Sequence, residues 1–392
     1  IILRELPNDP HASLACAWVA NHFGFREHFQ QYIKAAKQGD RSIELMAQDL
    51  HIPIEQLTRP KQKKKPDDDK RFHLIKAWGF GFGSEMSALM GQAYIAELVG
   101  RTPIVHWGSN FLYRPSTGDN CVFACFFKTF NNLNIEDAKL HIDDCYPTKW
   151  NSANLHLEHL GKKNGQHSKL SALHYMNRLE KLTVADYYSG VVSSRPWAPS
   201  ASPISHLSLD DAYRYLAKKY LIPQDDIVAQ VDEFVVTNLD VPYVAVHARG
   251  SDKDEGYRAL TSIPNQILAA AKQRLNMLGD EAKLFLMTDD MALLARYQCE
   301  FSERLVTTDC QRSESEVGVH YNNDTDKETA GREMLIDMLV AARANCFIGL
   351  GLSNPSQLIP YFGNFSDDDY VLFGENRLKQ FNTHLYRTIS VT

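Results

Sequence analysis

Over the first 58 residues the apolar positions recur at helical spacing. Leu14, Ala15, Trp18, Val19 and Phe23 share one face, and a second helix runs through Phe29, Tyr32, Ile33 and Ala36. A third is predicted over Ser42 to Leu50, with Pro53 as its stop. The pattern then breaks. The run RPKQKKKPDDDK, 59–70, holds two prolines and no apolar residue, which reads as a linker. Its lysines, Lys61, Lys63, Lys64 and Lys65, have no neighbouring aromatics on which bases could stack, so a solvated hinge is favoured over a nucleic-acid contact. From Arg71 the period alternates between strand and helix. A strand over Phe72 to Ala77 leads into WGFGFGSEM, a helix over Ser84 to Val99, the stop Gly100, and a strand over Thr102 to Trp107. This is a βαβ unit.

From Gly108 to about Ser205 no period holds. The stretch is loop-like and aromatic, with Tyr113, Phe123, Phe126, Phe127, Trp150 and Trp197. A clear helix follows over Ser208 to Leu221, capped by Ser208 with Asp210 and Asp211 in its first turn. A second alternating lobe starts near Val235. Its strands are predicted over 243–248, 283–287, 304–308 and 346–351. Helices follow over 264–278, through Tyr297, over 328–344 and after Ser353. The expected architecture is α/β. The expected boundaries are a helical extension 1–58, a linker 59–70, a first lobe 71–234, a second lobe 235–375 and a tail 376–392. The extension suits either packing or self-association.

Composition narrows the function classes. The chain has 392 residues, 44% hydrophobic and 23% charged, with net charge −6, so any anionic ligand must be held by local groups. No apolar run reaches the roughly 18 residues of a membrane span. The sequence begins at Ile1 without Met, so an upstream segment is expected. Seven scattered cysteines without a CxxC pair suit a reduced, cytoplasmic setting, including the inner face of a membrane. Fifteen histidines form no HExxH cluster, and no metal site is expected. Sequons stand at Asn323 and Asn364.

Candidate chemistry gathers at strand ends of the second lobe. One gives His247, Arg249, Asp252 and Lys253, another Asp289 and Asp290, and a third Ser353, Asn354 and Ser356. Ligands of open α/β sheets bind at such ends. Ser353-Asn354-Pro355 also starts a helix, whose unpaired N–H groups suit a phosphate. Arginine adds a planar fork for two oxygens. Together these describe a nucleotide-diphosphate site. Each piece alone has a structural reading: Asp289 and Asp290 as helix-start acids, Ser353 as a cap, His247 as a core residue. Asp337, within an apolar helix face, needs a partner, and Arg249 is the candidate. The glycine loop, with Gly79, Gly81 and Gly83, matches neither the P-loop nor the dinucleotide spacing. It reads equally as a tight turn or as a floor beneath a ligand.

These motifs, in this order, resemble a fucosyltransferase superfamily. It includes rhizobial chitooligosaccharide α1,6-fucosyltransferase, core α1,6-fucosyltransferase and protein O-fucosyltransferases. The resemblance runs through FHLIKAWGFGFGSEMSALMGQAYIAELVGRTPIVHWG (72–108), HARGSDK (247–253), TDD (288–290), REMLIDMLVAARA (332–344) and GLSNPSQ (351–357). It implies a GT-B-like fold of two Rossmann-like lobes, behind the helical extension here. It implies GDP-fucose as co-substrate, inversion, and neither cofactor nor metal. It implies Arg249 and Lys253 as catalytic cations at the diphosphate. Donor-binding roles are implied for His247, Asp252, Asp289, Asp290, Asp337, Ser353, Asn354 and Ser356, with Gly81 and Gly83 beneath. The acceptor would be a glycan or glycolipid. Glu255, just past the motif, is the preferred general base, with Asp254 beside it. The family's second arginine is Gly250 here. That departure leaves two alternatives open: another nucleotide-sugar donor, or an inactive glycan- or protein-binding module.

Overall fold

The computed structural model describes residues 9–22, 26–50, 52, 54, 57, 70–115, 121–157, 171–176, 178–198, 202–249, 262–313, 326–376, 378 and 379. The linker run 59–69, the sequon at Asn323, most of the tail, and Gly250, Asp252, Lys253, Asp254 and Glu255 lie outside the described residues.

The extension folds as α1 (Pro10–His22), α2 (Arg26–Ala36) and α3 (Ile43–Asp49), the last capped by the Ser42 hydroxyl accepting from the Leu45 amide. Its apolar face is spent on the first lobe. Leu14, Trp18, Met46, Leu50 and Leu57 are buried in the core that continues into that lobe, and the Trp18 ring lies 5.0 Å from His174. Packing on the first lobe is what this face does.

The first lobe runs β1 (Phe72–Lys76), α4 (Phe82–Leu98), β2 (Thr102–His106), α5 (Ile135–Lys139), β3 (Cys145–Tyr146), β4 (Leu182–Val184) and α6 (Val191–Ser194). The sheet order is β2-β1-β4-β3, all parallel. All five residues of β1 are buried, as a central parallel strand covered on both faces requires. The stretch from Gly108 to Ser205, expected to be irregular, thus contributes two of the four strands. Helices α7 (Leu209–Tyr220) and α8 (Asp225–Asn238) lead out of the lobe. Ser208 caps α7 as expected; α8 was not anticipated.

The second lobe runs β5 (Tyr243–His247), α9 (Ile263–Leu278), β6 (Lys283–Met287), α10 (Met291–Phe301), β7 (Leu305–Val306), α11 (Lys327–Ala341), β8 (Cys346–Leu350), α12 (Asn354–Phe362) and β9 (Tyr370–Phe373). Its order is β7-β6-β5-β8-β9, again all parallel. The chain builds outward from β5 to β7 and then returns to place β8 on the other side. A crevice therefore opens between the carboxyl ends of β5 and β8. The predicted strand 304–308 shrinks to two residues, because the loop behind it turns back to β6: Ser313 donates its amide to the Asp289 carbonyl at 2.8 Å.

Each lobe has a buried cluster of its own, and a third, larger cluster joins them. The larger cluster contains Met86 and Phe126 of the first and Phe285, Leu335 and Phe347 of the second. Tyr213 of α7 stacks on Tyr361 of α12 at 4.9 Å, and Asp210 accepts from the Tyr361 hydroxyl and pairs with Lys379, each at 2.9 Å. Arg332 of α11 donates to the Cys125 carbonyl and pairs with Asp226. All seven cysteines are free thiols. Among the described residues, no helix is long and apolar enough to cross a membrane.

Candidate functional site

The crevice of the second lobe faces the glycine loop of the first, and two helix N-termini meet there. Helix α12 starts at Ser353, which has extended backbone (φ −96°, ψ 119°), and Pro355 fits its first turn. Helix α4 starts at Gly81. The two starts touch. A Cβ on Gly83 would lie 2.8 Å from both the nitrogen and the Cδ of Pro355, so only glycine permits this approach. The Asn354 side-chain amide donates to the Ser84 hydroxyl at 2.6 Å. Gly83 therefore serves packing, while the space above Gly81 is open within 4 Å of where a Cβ would stand.

Each helix start carries roughly half a positive charge and amides with no partner inside the helix. At α4 the buried Glu85 carboxylate answers part of that field. It accepts from the Trp78 amide at 2.9 Å and the Phe80 amide at 2.8 Å, which also pins the glycine loop. At α12 no acid stands in the first turn. The Ser353 side chain makes no cap bond, and its hydroxyl is buried without a hydrogen-bond partner, the residue being 1% exposed. A buried hydroxyl left this way at a helix start is available to a ligand oxygen. An anion between these helix starts would receive a hydroxyl, backbone amides and two aligned dipoles.

His247 ends β5 beside α12. Its Nδ1 lies 2.6 Å from the Ser356 hydroxyl, which also accepts from the Leu350 amide at 3.2 Å. The hydroxyl has a second lone pair and a proton of its own, so it can bond Nδ1 in either tautomer. Burial holds the ring down to about 4, against the opposing pull of Asp289, and Arg249 adds to the depression. Ser356 is fully buried and holds the His247 ring in place. Arg249 is half-buried just past β5, beside a small cavity lined by Ala248, Pro264, Ile267, Leu293 and Tyr297.

Two expectations need correction. Asp337 is not paired with Arg249. Its carboxyl accepts from the Thr308 hydroxyl at 2.6 Å, with Arg312 the nearest cation. Burial raises its pKa to about 7, offset in part by Thr308 and Arg312 and reinforced by Glu333. Asp290 is the N-cap of α10, accepting from the Leu293 amide at 3.0 Å, which is the structural role weighed for it. Asp289 stands beside it at the β6 end, close enough to His247 to act on its charge. The contacts run pairwise: Asp289 and Arg249 act on the charge of His247, His247 meets Ser356 of α12, and Asn354 and Pro355 join α12 to Ser84 and Gly83 of α4. The meeting of two helix starts and the Ser84 contact were missed by sequence reasoning. Gly83 was the available signal, as a glycine just inside a helix. Among the described residues, no group of three His, Cys, Asp or Glu side chains is placed to hold a metal ion.

No family model and no curated protein matches the sequence. Solved structures do match in fold. NodZ α-1,6-fucosyltransferase co-crystallized with GDP aligns at TM-score 0.50 and 16% identity, over 75% of this chain and 93% of that one. The same figures hold for NodZ soaked with GDP-fucose. A mutant of Arabidopsis thaliana FUT1 in complex with GDP aligns at TM-score 0.50 and 11% identity, over 77% of this chain and 70% of that one. The architecture is therefore GT-B-like, as in fucosyltransferases, with two Rossmann-like lobes.

Proposed function

We propose that this protein is an inverting glycosyltransferase that moves fucose from GDP-fucose to a hydroxyl of a glycan or glycolipid. One observation carries the reading: the uncapped start of α12, with its buried unpartnered Ser353 hydroxyl, abuts the start of α4 at the switch point of a parallel sheet. That is a diphosphate cradle by chemistry, and the fold neighbours were solved with GDP or GDP-fucose. In this reading Ser353 and the α12 amides take phosphate oxygens, and Arg249 and Lys253 neutralise the charge that grows on departing GDP. Asp252 supports the phosphate site. His247, held neutral by burial, and Asp289 contact the nucleoside side. The acceptor oxygen attacks the anomeric carbon opposite the phosphate, the bond to GDP breaks with its electrons on phosphate, and Glu255 takes the hydroxyl proton. No metal or cofactor is assigned a step.

Gly250 supports a second reading, a donor other than GDP-fucose, since one cation fewer stands at the motif. Incubation with a panel of nucleotide sugars separates the two. GDP-fucose should be turned over and GDP should raise the melting temperature. Arg249→Ala should lower turnover at least 100-fold with the fold retained. No turnover of any donor, with no GDP thermal shift, sinks the enzyme reading and leaves a binding module.

A further inference from the structure

The glycine loop carries an aromatic at every second position: Trp78, Phe80 and Phe82. Trp78 and Phe82 are buried, 7% and 2% exposed. Phe82 packs among Trp107, Phe111, Tyr113, Phe126 and Phe127, and Trp78 meets Tyr188 edge-on at 5.7 Å. Phe80 breaks the pattern at 37% exposed. Its backbone is nonetheless held as firmly as the others. The Phe80 amide donates to Glu85, the preceding Gly79 adopts φ +80°, and a Cβ there would lie within 3.0 Å of the Asn110 side chain. The next residue, Gly81, has open space where its side chain would be, and two residues further the loop abuts α12.

A loop pinned by Glu85 that leaves one ring exposed, three residues before the Gly83–Pro355 contact, offers a flat apolar face near the phosphate cradle. We infer that Phe80 is a stacking platform for a pyranose ring of the acceptor, whose axial C–H face is apolar while its hydroxyls reach sideways. Apolar contact of that kind gains by shedding water from both faces. Fixing the loop in advance removes the ordering cost from binding. Gly81 leaves the space on one side of Phe80 open. The inference deepens the proposed transferase reading and rests on it for the word acceptor; the sugar-binding surface itself stands on the loop geometry.

The test uses the full chain with GDP present, applied to immobilised oligosaccharides of α- and β-linked hexoses and N-acetylhexosamines. The wild type should bind at least one glycan class, Phe80→Ala should weaken that binding about tenfold, and Phe80→Trp should restore it. With a turned-over acceptor, the loss should fall on acceptor KM more than on kcat. Equal binding by wild type and Phe80→Ala overturns the platform, as does wild-type binding to no glycan. So does a Phe80→Ala loss carried instead by the GDP thermal shift, which would put the ring on the donor side. Glycan binding that depends on Phe80, in a protein that turns over no donor, would uphold the platform while removing the transferase reading.

Discussion

A single hydroxyl decides how the crevice is understood. Ser353 was legible in the sequence as a helix start, because Ser-Asn-Pro places a cap before a proline that fits the first turn. That its hydroxyl caps nothing was not legible, since capping depends on a torsion that residue type leaves open. Ser353→Ala should therefore leave the urea midpoint unchanged or slightly raised, by up to about 1 kcal/mol, because no bond is lost and an unpaired group is removed. The GDP-induced thermal shift should shrink. Asp337 shows the opposite limit. Its need for a partner was readable from an apolar helix face, but the partner, Thr308, lies 29 residues away, past the end of the shortened β7. Its folded pKa, about 7, is above the ordinary carboxyl value, so the folded state prefers the protonated form. The stabilising contribution of that form is whole below about pH 4. It is lost as pH rises through 7. Asp337→Asn keeps a group for Thr308 without the charge. Its urea midpoint should gain on the wild type as pH rises from 4 to 8, and a constant difference would contradict the assignment.

At the scale of elements, long periodic segments declared themselves and short ones did not. Helix α4 and strands β5, β6 and β8 fall within a residue or two of their expected bounds. Strands β3 and β4 have two and three residues, too few for an alternation to register, yet β4 pairs directly with β1 in the sheet. Tertiary pairing, rather than local pattern, makes them strands. The helix-to-helix contact is the element-level feature with the sharpest consequence. Gly83→Ala would force its methyl into the Pro355 backbone at 2.8 Å, where neither neighbour is a flexible tip. Separation of α4 from α12 should cost about 1–3 kcal/mol, as overpacking does. Chemical denaturation reads that loss, and GDP affinity should fall with it.

The largest of the buried clusters ties the extension and both lobes together. A continuous core runs from Trp18 in the extension through Met86 to Phe347. Trp18→Ala would remove a nearly fully buried indole from the seam with His174, at a cost of about 3–5 kcal/mol. A single unfolding transition shifted as a whole is expected. A separate early transition for the extension would show that the seam is not part of the common core. One further consequence follows from the head-to-head meeting of α4 and α12. Peptide dipoles fixed in a buried floor have no counterions to shed, unlike lysines on a surface. The protein is also net acidic, at −6, so no long-range field draws an anion in. Ionic strength should thus alter capture of a nucleoside diphosphate far less than it alters binding to a basic patch. GDP titrated at 50 and 500 mM salt should show a Kd change of only about threefold, the share owed to side-chain cations such as the half-buried Arg249. The site would work as well in brine as in dilute buffer because its positive charge is built into the backbone.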